Sequence, residues 1–188
     1  EGRFADSTLT KEAADLGAVL DALQGHTIGY VGHSMGGAVG VLRASQDTRI
    51  RFLVSLAGMV HTGDFARREF GMVKAGEGFM WDDEACPLSQ AYMDDLGKIG
   101  SVVDRAPQIR VPWLLVHGTE DDVVPLQDSR DIYARAMELG LSMNIVSVGV
   151  MSAVWRIAPP LTVSKDEIDR GVEIMDTAIS SVLAEGRK

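Results

Sequence analysis

Six consecutive residues, Gly32-His33-Ser34-Met35-Gly36-Gly37, constrain this chain more than any other stretch. They form a G-x-S-x-G between a short β-rich run, Thr27 to Gly32, and a small-residue apolar segment, Met35 to Ser45, that reads as a buried helix. A strand that turns into a helix within one or two residues forces the serine into a strained backbone conformation and exposes its hydroxyl. Glycine at the flanking positions, Gly32 and Gly36, lets strand and helix approach that closely. Ser34 is the expected nucleophile. The amide of Met35, at the start of the helix, is the expected donor to an oxyanion.

Around this turn, helix and strand signals alternate. Thr8 to Gln24 carries Ala13, Leu16, Leu20 and Leu23 at helical spacing, and Gly25 ends it. Arg51 to Gly58 and Val111 to Gly118 are nearly all apolar, as parallel strands covered on both faces would be. Between them, residues 59–108 are too long for a connection and too rich in aromatics for a linker, which predicts a helical insertion or lid. Trp81 and Trp113 read as core. Pro125 to Leu139 is expected to be helical, with Pro125 in its first turn. These signals predict an α/β domain with a mainly parallel sheet, and Thr27–Gly32, Arg51–Ala57 and Val111–His117 as parallel neighbours.

Composition closes off several function classes. The chain has 188 residues, a net charge of −9 and no basic run, so a nucleic-acid surface is not expected. Apolar runs such as Ile50 to Met59 are far shorter than the roughly 20 residues a membrane helix needs. The single cysteine, Cys86, requires no oxidising compartment, and a cytoplasmic setting is the expectation. No HExxH, paired CxxC or phosphate loop suggests a metal or nucleotide.

A second motif, Val111 to Pro125 (VPWLLVHGTEDDVVP), places Asp121 and Asp122 just after a buried strand, at the sheet edge where α/β sites are built. One carboxylate could orient a histidine beside Ser34; the other could cap the following helix. Together, GHSMGG and HGTEDDVVP resemble the α/β-hydrolase family over roughly residues 1–135. The resemblance implies a serine hydrolase of carboxylic esters or related acyl substrates, a small-molecule ester as partner, no cofactor, and Asp121 as the triad acid. Two departures accompany it. The family's strands before the elbow strand are not represented, so the sheet is expected to lack its first part. A second copy of the chain could cover the exposed edge as a homodimer and bring an imidazole in trans. The family histidine that follows the last strand has no counterpart either, since no histidine follows His117.

The four histidines divide by position. His26 precedes the elbow strand, His33 should point away from Ser34, and His117 reads as packing. His61, near the C-terminal end of the second strand, is the spare candidate for the general base, with a surface role as its alternative.

From about Met137 the chain resembles something else. Gly140 to Val146 and Arg156-Ile157-Ala158-Pro159-Pro160-Leu161-Thr162-Val163, with a Ser164–Glu167 capping box, resemble the C-terminus of class III pyridoxal-phosphate aminotransferases. That family's arginine at the Arg156 position is associated with substrate carboxylate binding. Its cofactor lysine and large domain have no counterpart here, so transamination is not expected. The chain reads as two segments joined near Ala136, the second folding as strand, turn, strand and helix with Ile168 to Val182 packed on the sheet. Two functions follow as expectations: an impaired serine esterase, or a non-catalytic remnant or interaction module that keeps the elbow.

Overall fold

In a computed structural model, the structure describes residues 2–137 and 144–148, and beyond them residues 165, 169 and 173. The chain divides into two compact units, residues 1–155 and 156–188. In the second unit the three described residues are helical, with Lys165 paired to Asp169. The second strand expected of this segment, at 154–157, Ser164 and Glu167 of the capping box, and the stripe residues Ile168 and Val182 lie outside the described residues.

Among its described residues, the first unit is built on four strands in spatial order β1 (Ile28–His33), β2 (Ile50–Leu56), β3 (Trp113–Gly118) and β4 (Asn144–Val148), all parallel. The three apolar runs are thus parallel neighbours, as expected. β4, which lies beyond the residue-136 junction read from sequence, pairs along its whole length with β3. β3 starts at Trp113, two residues later than the apolar run suggests. Pro112 has no N–H for the ladder, although its carbonyl still accepts from Leu53 N at 2.9 Å.

Among the described residues of this unit, five α-helices connect and cover the strands: α1 (Leu9–Ala22), α2 (Met35–Ala44), α3 (Thr62–Phe70), α4 (Gln90–Ile99) and α5 (Leu126–Met137). α1 begins at Thr8, whose hydroxyl accepts from Lys11 N at 3.2 Å, and buries Leu9, Ala13, Gly17 and Leu20. Leu23, included in its predicted stripe, is 40% exposed, because it is the residue that ends the helix. Residues 59–108 form the expected helical insertion, with α3, α4 and 3-10 turns at Met80–Asp82 and Val103–Gln108. Its Phe65, Phe70, Met80, Leu88 and Leu96 join one core with Leu53 and Leu115 of the sheet. Each such side chain contributes about 1.5–3 kcal/mol when fully buried.

Complete burial of both strand faces does not hold at β1 and β2, where Val31 is 59% and Phe52 40% exposed. Among the described residues β1 has a strand neighbour on one side only.

The α2–β2 connection is fixed by charge. Asp47, nearly buried, receives Arg49 at 2.7 Å and Arg43 at 2.6 Å, and Arg49 also reaches Asp21 at 2.5 Å. Hydrogen bonding from Arg49 holds the Asp47 carboxyl well below the usual carboxylate range, with Arg43 adding to it. A carboxyl depressed on folding stabilises above its unfolded pKa of about 3.9, and that stability is lost as pH falls towards the folded value. Asp47→Asn is expected to cost about 1.5–3 kcal/mol near neutrality, the worth of a hydrogen bond to a charged group. Thermal unfolding against pH checks this: the gap between the two proteins should be constant at pH 6–7 and narrow below about pH 4.

Candidate active site

Ser34 is the hinge between β1 and α2. Its backbone stands at φ 51° and ψ −117°, a region that costs a non-glycine residue on the order of 1–3 kcal/mol. Three backbone hydrogen bonds hold it there. Ser34 N donates to Leu56 O at 3.0 Å, and Ser34 O accepts from Gly37 N at 2.9 Å and Met59 N at 3.0 Å. The elbow is therefore tied to the first turn of α2, to the end of β2 and to the loop that follows it.

Close packing at the turn explains the glycines, with one correction. A Cβ on Gly32 would stand 2.2 Å from Gly36 O, and one on Gly37 would stand 2.5 Å from Gly58 Cα. A Cβ on Gly36 would meet only the Tyr30 hydroxyl, at an ordinary 3.5 Å. Gly37, rather than Gly36, is the second residue whose lack of a side chain lets the backbones meet. Gly36 contributes its carbonyl, which Gly32 must clear and which accepts from Tyr30 Oη at 2.9 Å. Met35 is the first residue of α2, so its N–H has no partner within the helix, and the positive end of the helix dipole adds to its pull on an anion.

The expected partners of Ser34 are engaged elsewhere. Asp121 follows β3 as anticipated, but its Oδ1 accepts from the amides of Val123 at 3.1 Å and Val124 at 2.9 Å. Its Oδ2 lies 3.7 Å from His117 Nε2. His117 is buried and uses both ring nitrogens: Nε2 donates to Val124 O at 2.7 Å, which leaves Nδ1 as the acceptor from Ser129 Oγ at 2.7 Å. His61 stands at the N-cap position of α3 without a side-chain capping bond, and its Nε2 lies 2.8 Å from Asp131 Oδ2 on α5. Asp131 Oδ1 in turn accepts from Gln127 at 2.7 Å. Burial works to raise the Asp131 carboxyl, but the bonds from Gln127 and His61 prevail and lower it. Asp128, absent from the sequence reading, is buried and accepts from the amides of Val60 at 2.7 Å and His61 at 3.0 Å, fixing the loop after β2 to α5. His26 and His33 are exposed. Among the described residues no imidazole is hydrogen-bonded to Ser34.

Ser34 opens instead into a cavity of about 170 Å³. Ser34 and Met35 form its floor; Phe65, Met80, Trp81 and Tyr92 of the insertion, with Pro87 and Ser89, form much of its wall, and Phe4 and Ser7 complete it. Among the described residues, no histidine or carboxylate lines it. Trp81, expected in the core, is 61% exposed at this wall, with its backbone at φ 51° and its ring packed edge-on 5.0 Å from Phe70. Burial pushes the Tyr92 phenol up to about 12, so it stays protonated at neutral pH.

Solved structures similar to this one include esterases, lipases and acylaminoacyl peptidases. Est1E from Butyrivibrio proteoclasticus superposes with a TM-score of 0.64 and 24% identity, over 76% of this chain and 61% of that one. One of the metagenome-derived lipolytic enzymes LipS and LipT gives 0.57 and 24%, over 78% and 65%. The monoacylglycerol lipase of Paleococcus ferrophilus gives 0.54 and 16%, over 76% and 65%. The chain thus has an α/β-hydrolase fold in part, and spans under two thirds of the length of these enzymes.

Curated sequences match shorter stretches. An aminotransferase of Schizosaccharomyces pombe is 46% identical over 46 residues, 24% of this chain and 10% of that protein. The acetylornithine aminotransferase of Caldanaerobacter subterraneus is 39% identical over 75 residues, 40% of this chain and 17% of that protein. A non-reducing polyketide synthase of Aspergillus terreus is 33% identical over 86 residues, 45% of this chain and 3% of that protein. No protein-family model matches the chain. No described helix is long and apolar enough to cross a membrane.

Proposed function

We propose that the chain is a slow serine esterase in which Ser34 attacks small carboxylic esters. The observation that carries this reading is the positive-φ serine at a strand-to-helix turn, opening into a cavity beside the unpaired Met35 amide. Attack of Ser34 Oγ on the ester carbon generates an oxyanion within reach of the Met35 N–H. Collapse expels the alcohol and leaves an acyl-serine, which water then hydrolyses. The hydroxyl proton must leave during attack, and without an imidazole at Oγ it passes to solvent. Positioning and oxyanion stabilisation remain; in related constellations these retain about 10³–10⁴-fold over water after a triad residue is lost.

Asp121 is the carboxylate that the motif assigns to orienting an imidazole. With Oδ1 committed to its own loop and no imidazole at Ser34, Asp121→Asn is expected to leave ester turnover within about twofold. Hydrolysis of 4-nitrophenyl acetate and butyrate by wild type, Asp121→Asn and Ser34→Ala tests the assignment. A tenfold loss in Asp121→Asn with unchanged unfolding would show that the acid does catalytic work. The alternative, a non-catalytic hydrolase-fold module, is favoured by one observation: His61, the spare base, is held by Asp131. It predicts turnover indistinguishable from Ser34→Ala. The partial aminotransferase matches support reading the chain as two joined segments; the junction near Ala136 rests on the sequence motifs alone.

A further inference from the structure

Among the described residues, the cavity beside Ser34 has one buried donor whose only partner is a poor one. Tyr92 is 7% exposed, and its hydroxyl meets Met35 Sδ at 3.5 Å. A thioether is a weak acceptor, so a buried phenol that donates to it forgoes most of a normal hydrogen bond. Ser89 Oγ accepts from Tyr92 N at 3.1 Å, which fixes the first turn of α4, and the ring packs edge-on with its centroid 6.5 Å from that of Phe70. The other wall hydroxyls are differently placed. Ser7 donates to Glu12 at 2.7 Å, and Ser89, whose oxygen accepts in the cap, is only half-buried, so its hydrogen does not face the same desolvation.

Size and surface define what could accept from Tyr92. The cavity, at about 170 Å³, slightly exceeds the ~150 Å³ of an apolar cavity that admits benzene. Phe65, Met80 and Trp81 offer apolar and aromatic surface to a flat ring. We infer that Tyr92 is a specificity-determining residue that selects acyl groups of one-ring size bearing a hydrogen-bond acceptor, by donating its phenolic hydrogen to that acceptor. An occupant with an acceptor replaces the sulfur contact with a full hydrogen bond; one without leaves the phenol as it is. The selection rests on the proposed esterase reading only for which part of the ligand faces Ser34. Binding itself requires no chemistry.

Methyl benzoate and its pyridine counterparts, methyl nicotinate and methyl isonicotinate, differ by one ring acceptor at nearly equal volume. Calorimetric titration into Ser34→Ala, and into Ser34→Ala with Tyr92→Phe, isolates that acceptor. Tyr92→Phe should weaken at least one pyridine ester about fivefold relative to methyl benzoate, the worth of one neutral hydrogen bond. Equal changes for all three esters, or no binding of any of them, would overturn the inference. Wild-type turnover of 4-nitrophenyl acetate, lost in Ser34→Ala, reports separately on the esterase reading. Selective binding without turnover would sink that reading and leave Tyr92's role standing; turnover without selective binding would do the reverse.

Discussion

Gly32→Ala should destabilise the first unit by about 3 kcal/mol and remove whatever reactivity Ser34 has. The new methyl carbon would stand 2.2 Å from Gly36 O and 2.8 Å from Gly37 N, all backbone and part of the turn itself. No rotamer change relieves a clash with main chain. The strand and helix must move apart, which places the substitution at or above the upper end of the usual 1–3 kcal/mol for overpacking. Separation also breaks the hydrogen bonds from Gly37 and Met59 to Ser34 O, so the strained serine loses the contacts that hold it. Gly36→Ala is the control, because its Cβ meets only a side-chain hydroxyl at ordinary distance. Denaturant unfolding of the two variants should differ by at least 2 kcal/mol, in the direction of a weaker Gly32→Ala. Equal stability would mean that the elbow is looser than described.

The second large effect is chemical. Ser34→Ala should reduce hydrolysis of short-chain esters to the rate seen with buffer alone, a loss bounded by the modest rate of the starting protein. An unassisted serine is a poor nucleophile at neutral pH. His61→Ala, by contrast, should leave turnover within about twofold, because its Nε2 faces Asp131 on α5 and it does not line the cavity. An unfolding curve on the same preparation separates catalysis from stability. Loss of otherwise robust hydrolysis in His61→Ala, with stability intact, would show that this imidazole reaches Ser34 as the base. Turnover at ordinary enzyme rates of roughly 1–1,000 per second in both proteins would point to a base supplied by a second copy.

How far the sequence carries an interpretation depends on whether the signal is local. β2 and β3 are legible as near-continuous apolar runs, and the elbow as a serine between glycines at a strand-to-helix switch. Each of these rests on residues a few positions apart. The need for glycine at position 37 was not legible, because its neighbour is Gly58, on the far side of β2. His61 and Asp131 are 70 residues apart, and no periodicity joins them. Asp128 drew no sequence reading, because its place in the first turn of α5 is ordinary for an acid, yet the structure uses it to hold two amides of another loop. Trp81 looks like core by composition. Its positive φ and its place at the cavity follow from the turn between Phe79 and Pro87, which pair antiparallel. The cavity was the least legible feature, since its walls come from the N-terminal segment, the elbow and the insertion together.

The measurement that bears most directly on the central claim, that Ser34 is the nucleophile, is acylation followed residue by residue. The protein is incubated with 4-nitrophenyl acetate, quenched in acid, and digested with trypsin; the peptide Glu12 to Arg43 is then sequenced by mass spectrometry. The account predicts an acetyl group on Ser34, accumulating over minutes and absent from Ser34→Ala. An acetyl group that accumulates at the same rate elsewhere, or on this peptide when residue 34 is alanine, would contradict it.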